Sequence, residues 1–133
     1  MSYPVDADWI SSFLNGRTEA IQLIAELADE GLVLSVIAYG EIYEGLLRDR
    51  SPQRLSQFEQ FSATMDITAP DSEVAHQYAT IRVALRSRGL LIPDNDLWIA
   101  ATAVAHDLTL VTRDQHFSRI PGLKLYRASE SRQ

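Results

Sequence analysis

The chain predicts an α/β domain built on a parallel sheet with helices on both faces. Short apolar runs of strand length alternate with amphipathic segments of helical period along its 133 residues. Acidic residues stand beside the ends of several of those runs, where ligands bind in folds of this class. The length suits one compact domain, 1–133, with its own core.

Tyr3 to Asp6 reads as a first strand ending in an acid. Ala7 to Leu14 is a short helix stopped by Asn15-Gly16. Thr18 is expected to cap a helix over Glu19 to Glu30, with Ile21, Ile24, Leu27 and Ala28 as its apolar stripe and Gly31 as its end. Leu32 to Ser35 is a strand, followed by a helix from about Ile37 to Asp49. Pro52 suits a first helical turn and opens a segment reaching about Thr64. Met65 to Thr68 is a weak strand. Asp71 or Ser72 caps a long helix to Arg88, with Val74, Tyr78, Ile81 and Leu85 facing inward and Gly89 terminating it. Leu90 to Pro93 is a connector. Asn95 to His106 is the most apolar helix, and Thr109 to Thr112 and Leu123 to Tyr126 complete the strands.

Composition excludes several classes of chemistry. There is no cysteine, so disulfides, thiolate metal sites and cysteine nucleophiles are absent. No apolar run reaches the roughly 18 residues that span a membrane, and the N-terminus lacks the pattern of a signal peptide. A cytoplasmic protein is expected. The net charge of −6 opposes avid nonspecific binding to nucleic acid. Eleven of the twelve basic residues are nevertheless arginine, and several gather in two stretches, Arg48, Arg50, Arg54 and Arg82, Arg86, Arg88. Arginine suits bidentate phosphate contact, although solvated helix faces are the simpler account of such runs.

Four acids carry the functional signal: Asp6, Glu41, Asp96 and Asp114. Carboxylates at core edges are unfavourable unless something binds them, and several sharing one site raise each other's pKa. A divalent cation resolves both problems, and oxygen donors suit magnesium or manganese. Glu41 shares a helix face with Ala38, Ile42, Gly45 and Leu46, all apolar or small. Asp94 suits the helix cap better than Asp96, which leaves Asp96 free to face the sheet with Ile99, Ala100 and Ala103. Asp6 ends a strand and Asp114 follows one. The three histidines, His76, His106 and His116, show no ligand spacing and read as surface or structural residues.

Four blocks of the chain together resemble the PIN-domain ribonucleases, most closely the VapC-type toxins of bacterial toxin–antitoxin pairs. They are Asp6-Ala7-Asp8, Glu41-Ile42-Tyr43-Glu44-Gly45, Asp96-Leu97-Trp98-Ile99-Ala100-Ala101 and Leu110-Val111-Thr112-Arg113-Asp114-Gln115-His116-Phe117. The resemblance implies a three-layer α/β/α domain around about five parallel strands. It implies a magnesium- or manganese-dependent endoribonuclease, often acting on transfer or ribosomal RNA, an antitoxin partner, and a homodimer. Carried over by position, the acidic quartet is Asp6, Glu41, Asp96 and Asp114. In two respects the chain departs from the family. Ala7 and Asp8 stand where the family usually has Thr then Asn or Ser, and Pro4 removes a strand N–H. Asp8 adds negative charge at the mouth of the site, which could recruit a second metal or weaken the approach of RNA.

The expected chemistry follows. Asp6, Asp96 and Asp114 hold the cation, and Glu41 completes the set or orients the attacking water. Thr112 hydrogen-bonds a ligand carboxylate, and Arg113 touches RNA or an antitoxin acid. Water attack leaves a 5′-phosphate product. Three other readings stand beside this one: a solitary RNA-processing nuclease, a catalytically silent binding module of the same fold, and a haloacid-dehalogenase-type phosphatase suggested by Asp6-Ala7-Asp8. The last needs a core lysine, and the only lysine is Lys124.

Overall fold

The computed structural model describes residues 2–127. Its elements run β1 (Tyr3–Pro4), α1 (Ala7–Leu14), α2 (Thr18–Ala28), β2 (Leu32–Ser35), α3 (Val36–Arg48), α4 (Pro52–Ser62), β3 (Asp66–Thr68), α5 (Ser72–Ser87), α6 (Asp94–Ala105), β4 (Thr109–Leu110), a 3-10 turn (Gln115–Arg119) and β5 (Lys124–Leu125). No helix among these residues is long and apolar enough to cross a membrane.

All strand pairs are parallel. β2 lies between β1 and β3, with Tyr3 opposite Leu32 and Leu34 opposite Ile67. β4 pairs with β5, Leu110 opposite Leu125. The predicted sheet of about five strands is thus two short ones, joined edge to edge by a bridge between Val5 and Val111. Val111 N–H donates to Pro4 O at 2.8 Å, and Asp6 N–H donates to Val111 O at 2.9 Å. Pro4 has no N–H to contribute, but its carbonyl serves this joint, so the proline is tolerated within the strand.

The strands read as unbroken apolar runs because they are covered on both faces. Val5, Leu34, Leu110 and Val111 are all at most 2% exposed. α6 packs closely for the same reason, burying Leu97, Ile99, Ala100, Ala101 and Ala103. Phe58 of α4 and Phe117 of the 3-10 turn are fully buried against this core.

Most predicted elements are present with bounds shifted by one or two residues; three details differ and one alternative is resolved. Thr18 lies inside α2, and Arg17 occupies the cap position without a side-chain bond. The buried face of α2 is Ala20, Leu23, Ile24 and Leu27, while Ile21 is 44% exposed. The helical period allowed both faces, and contact with α1 selects the one centred on Leu23. Of the two candidate caps for α5, Asp71 is the one used, accepting from Val74 N–H at 3.0 Å. Asp94 is not the cap of α6. It lies in the first turn after Pro93, and its carboxylate accepts from Tyr78 Oη at 3.1 Å and Arg82 Nε at 3.4 Å.

The corrected α2 face sets an expectation for stability. Leu23→Ala should destabilise the protein by about 2–5 kcal/mol, as buried leucine truncations do, and Ile21→Ala by about 0.5 kcal/mol or less. Denaturant titration of both variants measures the contrast, and equal losses would contradict this packing.

Candidate metal centre

Asp6, Glu41, Asp96 and Asp114 meet in one open cleft of about 460 Å³, which Asp8 and Ser11 also line. Two of the acids come from strand ends. β1 continues through Val5 into Asp6, and β4 continues through Val111 to Asp114. The bridge between Val5 and Val111 brings those ends side by side. The other two come from helices. Ser35 ends β2 and caps α3 by accepting from Ile37 N–H at 3.1 Å, which directs the second turn of α3, with Glu41, toward the same edge. Asp96 projects from the first turn of α6.

Asp6 occupies the cap position of α1, yet its carboxylate makes no cap bond. It accepts instead from the Thr112 hydroxyl at 2.7 Å, the bond that sequence reasoning expected of Thr112. Thr112 Oγ1 in turn accepts from Asp114 N–H at 3.1 Å. One hydroxyl therefore sets both strand-end acids. Asp114 accepts from His116 N–H at 3.2 Å and so starts the 3-10 turn.

Burial raises the pKa of Asp6, and the charges of Asp96 and Asp8 add to it, against the Thr112 hydrogen bond. Burial also raises Glu41, with Asp96 and Asp6 adding, against a bond from Asn95 Nδ2 to Glu41 Oε2 at 3.3 Å. Asp96 is raised by burial and by Asp114, against its contact with His116. The groups act on one another as a cluster.

His116, expected as a surface or structural residue, stands beside two of the acids. Its Nδ1 lies 3.1 Å from Asp114 Oδ1, and its Nε2 lies 2.8 Å from Asp96 Oδ2. The second contact is close but oblique, since the buried Nε2 has no hydrogen bond of good geometry. Asp96, Asp114 and His116 offer donor atoms within 4.8 Å of one another, a tighter group than the expected Asp6, Asp96 and Asp114. No histidine pair one helical turn apart exists to flag it. The available signal was its place two residues past Asp114, on the turn that Asp114 caps. His76 and His106 are exposed, as expected.

Arg113, expected to touch RNA or an antitoxin acid, makes contacts within the chain. Its guanidinium folds back on α1, 3.0 Å from Asp8 Oδ2 and 4.0 Å from Glu19 Oε1, with a further bond to Ser12 Oγ. It lies over the Trp9 ring at 4.2 Å. The extra acid at position 8 is thus answered within the chain. Lys124 pairs with Asp107 at 2.8 Å and does not line the cleft, which removes the phosphatase reading.

The donor set fits a divalent cation: four carboxylates suit a hard ion, and an imidazole nitrogen is compatible with manganese. The raised pKa values fix the sign of a pH effect. An acid whose folded pKa lies above its unfolded value stabilises the fold below the unfolded pKa, and that stability is lost as pH rises through the folded one. In chelator-treated buffer, stability should therefore rise as pH falls from neutral toward the ordinary carboxylate range. Asp6→Asn should raise the neutral-pH Tm and flatten that dependence. Scanning calorimetry across pH tests this, and a parent Tm that falls monotonically with an unchanged Asp6→Asn profile would refute it.

Residues 3–123 match the family model of the PIN domain. The chain is 33% identical over 96 residues to Ribonuclease VapC4 of Mycobacterium tuberculosis, covering 69% of this chain and 73% of that one. The crystal structure of VapBC2 from Rickettsia felis, bound to a DNA fragment from its promoter, superposes with a TM-score of 0.84 at 27% identity, covering 95% of this chain and 98% of that one. VapBC-5 from Mycobacterium tuberculosis, a member of the VapBC family of toxin–antitoxin systems, gives a TM-score of 0.69 at 25% identity, covering 92% and 93%. With its acids gathered at the carboxyl edge of a parallel sheet, the chain belongs to the PIN-domain family, among the VapC ribonucleases.

Proposed function

We propose that this protein is a magnesium- or manganese-dependent endoribonuclease, the toxin of a toxin–antitoxin pair, acting on transfer or ribosomal RNA. The observation that carries this reading is the convergence of Asp6, Glu41, Asp96 and Asp114 in one cleft, three of them with raised pKa. Such a cluster is unfavourable alone and is relieved by a cation. The ribonuclease name of the relative and the VapBC assemblies among the similar structures support the substrate and an antitoxin partner. A homodimer and a cytoplasmic location belong to the same reading.

Asp6, Asp96 and Asp114 would hold the cation. When bound, it stabilises charge on the phosphoryl oxygens and acidifies water. Thr112 fixes the Asp6 carboxylate, and His116 spans Asp96 and Asp114, so both strand-end and helix-borne donors are oriented before a ligand arrives. Glu41, its pKa already raised, is suited to take a proton from the attacking water. Attack by water needs no ribose hydroxyl and leaves a 5′-phosphate on the product.

Asp96→Asn should lower RNA cleavage by at least about 100-fold, the scale of a metal site's contribution to rate, while remaining folded by circular dichroism. Chelator should abolish parental cleavage, and manganese should restore it. Undiminished cleavage by both Asp6→Asn and Asp96→Asn would rule out these assignments. Thr112→Val should weaken manganese binding about 10–100-fold in calorimetric titration, as loss of a ligand-orienting bond does.

A further inference from the structure

A second cleft of about 190 Å³ opens beside the acidic one, between α1 and α3. The two share Ser11, Glu41 and Ile42, so they form one continuous trough with Glu41 at the join. Asp6, Asp96 and Asp114 lie at one end, and Arg48 and Arg54 lie at the other.

The local sequence builds this trough. Gly45 lies one turn beyond Glu41 and Arg48 two turns beyond, all on one face of α3. Gly45 leaves the floor bare: a Cβ there would meet only Arg48 Nη2, at 3.8 Å. Arg50 adopts a positive φ of 51°, turning the chain sharply between α3 and α4. Ser51 then caps α4 by accepting from Arg54 N–H at 3.3 Å, which places Arg54 across from Arg48 at the positive end of that helix.

Neither of these two guanidinium groups is held firmly within the chain. Arg48 has only a 3.9 Å contact with Glu44, and both side chains are at least 70% exposed. The Arg54 side chain has no ion pair among the described residues. Arg82 and Arg113, by contrast, are held by Asp94 and by Asp8 and Glu19. Asp49 also lines the far end, so with Glu41 at the join the two arginines balance the two carboxylates of this cleft.

A chain of net charge −6 repels a polyanion except where its basic groups concentrate. A groove with basic groups leading to a reactive site suits the backbone of a flexible single strand. We infer that the trough seats single-stranded RNA, with Arg48 and Arg54 binding the phosphates that flank the one presented to the acidic end. This rests on the nuclease reading and adds the path of the substrate to it.

The test compares Arg48→Gln/Arg54→Gln with Arg86→Gln/Arg88→Gln, which removes the same charge from α5 and its end. Affinity for a fluorescein-labelled, random-sequence, single-stranded oligoribonucleotide is measured in chelator across a salt series. Cleavage of bulk bacterial RNA with manganese is measured in parallel. The trough variant should bind about tenfold more weakly, and its log–log salt slope should shrink by about 1.4, the value for two phosphate contacts on a single strand. KM should rise with kcat largely kept, manganese binding should be unchanged, and Arg48→Lys/Arg54→Lys should recover part of the affinity. Binding and slope equal to those of the α5 variant would overturn the inference. So would normal RNA binding with loss of a co-purifying protein partner, which would give the trough to that partner. A parent that cleaves RNA but ignores both arginines sinks the trough alone. A parent whose binding needs them but which cleaves nothing sinks the nuclease reading instead.

Discussion

Like charges gathered in one place are the constraint around which this molecule is arranged. Asp6, Glu41, Asp96 and Asp114 come from four separate elements and end in one cleft, where burial and mutual repulsion raise the pKa of three of them. Such an arrangement persists only if the rest of the fold holds it. The holding groups are visible: the bridge between Val5 and Val111, the Thr112 hydroxyl on Asp6, the Ser35 cap of α3, and His116 between Asp96 and Asp114. Each draws strength from the buried parallel strands behind it. The cleft is thus a strained feature on a conventional core, as sites tuned for ligand capture often are.

The same economy of charge explains the chain's departures from its family's usual motif. Asp8 would deepen the negative field if left alone. Arg113 crosses from the other strand end to meet it and lies against Trp9 on the way. This clamp ties the segment after β4 to α1, so the extra acid and the neighbouring arginine act as a structural pair. Asp94 and Arg82 form a comparable pair between α6 and α5, beside the stacked rings of Tyr78 and Trp98, 4.0 Å apart. Arginines engaged in this way are removed from the set that can meet a substrate. Arg48, with only a 3.9 Å contact to Glu44, and Arg54, in no ion pair among the described residues, lie on the trough that runs into the acidic cleft.

Much of this was legible in one dimension. The alternation of apolar strands with periodic helices announced the fold class, because period and burial are local properties of a sequence. The face of α3 bearing Glu41 could be drawn from spacing alone, and Ala38, Ile42 and Leu46 are buried beside it. The face of α2 could not, since Ile21 and Leu23 both satisfy a helical period and only the neighbouring helix distinguishes them. The cap of α6 does not follow from local sequence, because Tyr78 and Arg82, sixteen and twelve residues away, compete for the Asp94 carboxylate. The place of His116 is hidden for the same reason: ligand spacing is a local signal, and Asp96 lies on another element.

The sequence by itself determined the parallel α/β class, the strand ends that carry Asp6 and Asp114, and the helix faces that carry Glu41 and Asp96. Those follow from short-range periodicity and from where apolar runs stop. Tertiary structure alone decided that the two sheets join through a single bridge, that a histidine contacts two of the cleft's acids, and that Arg113 pairs with Asp8 while Arg48 and Arg54 line the adjoining cleft. Hydrogen bonds and ion pairs select partners by distance in space, and residues more than a hundred positions apart, such as Thr112 and Asp6, meet only after the core has closed.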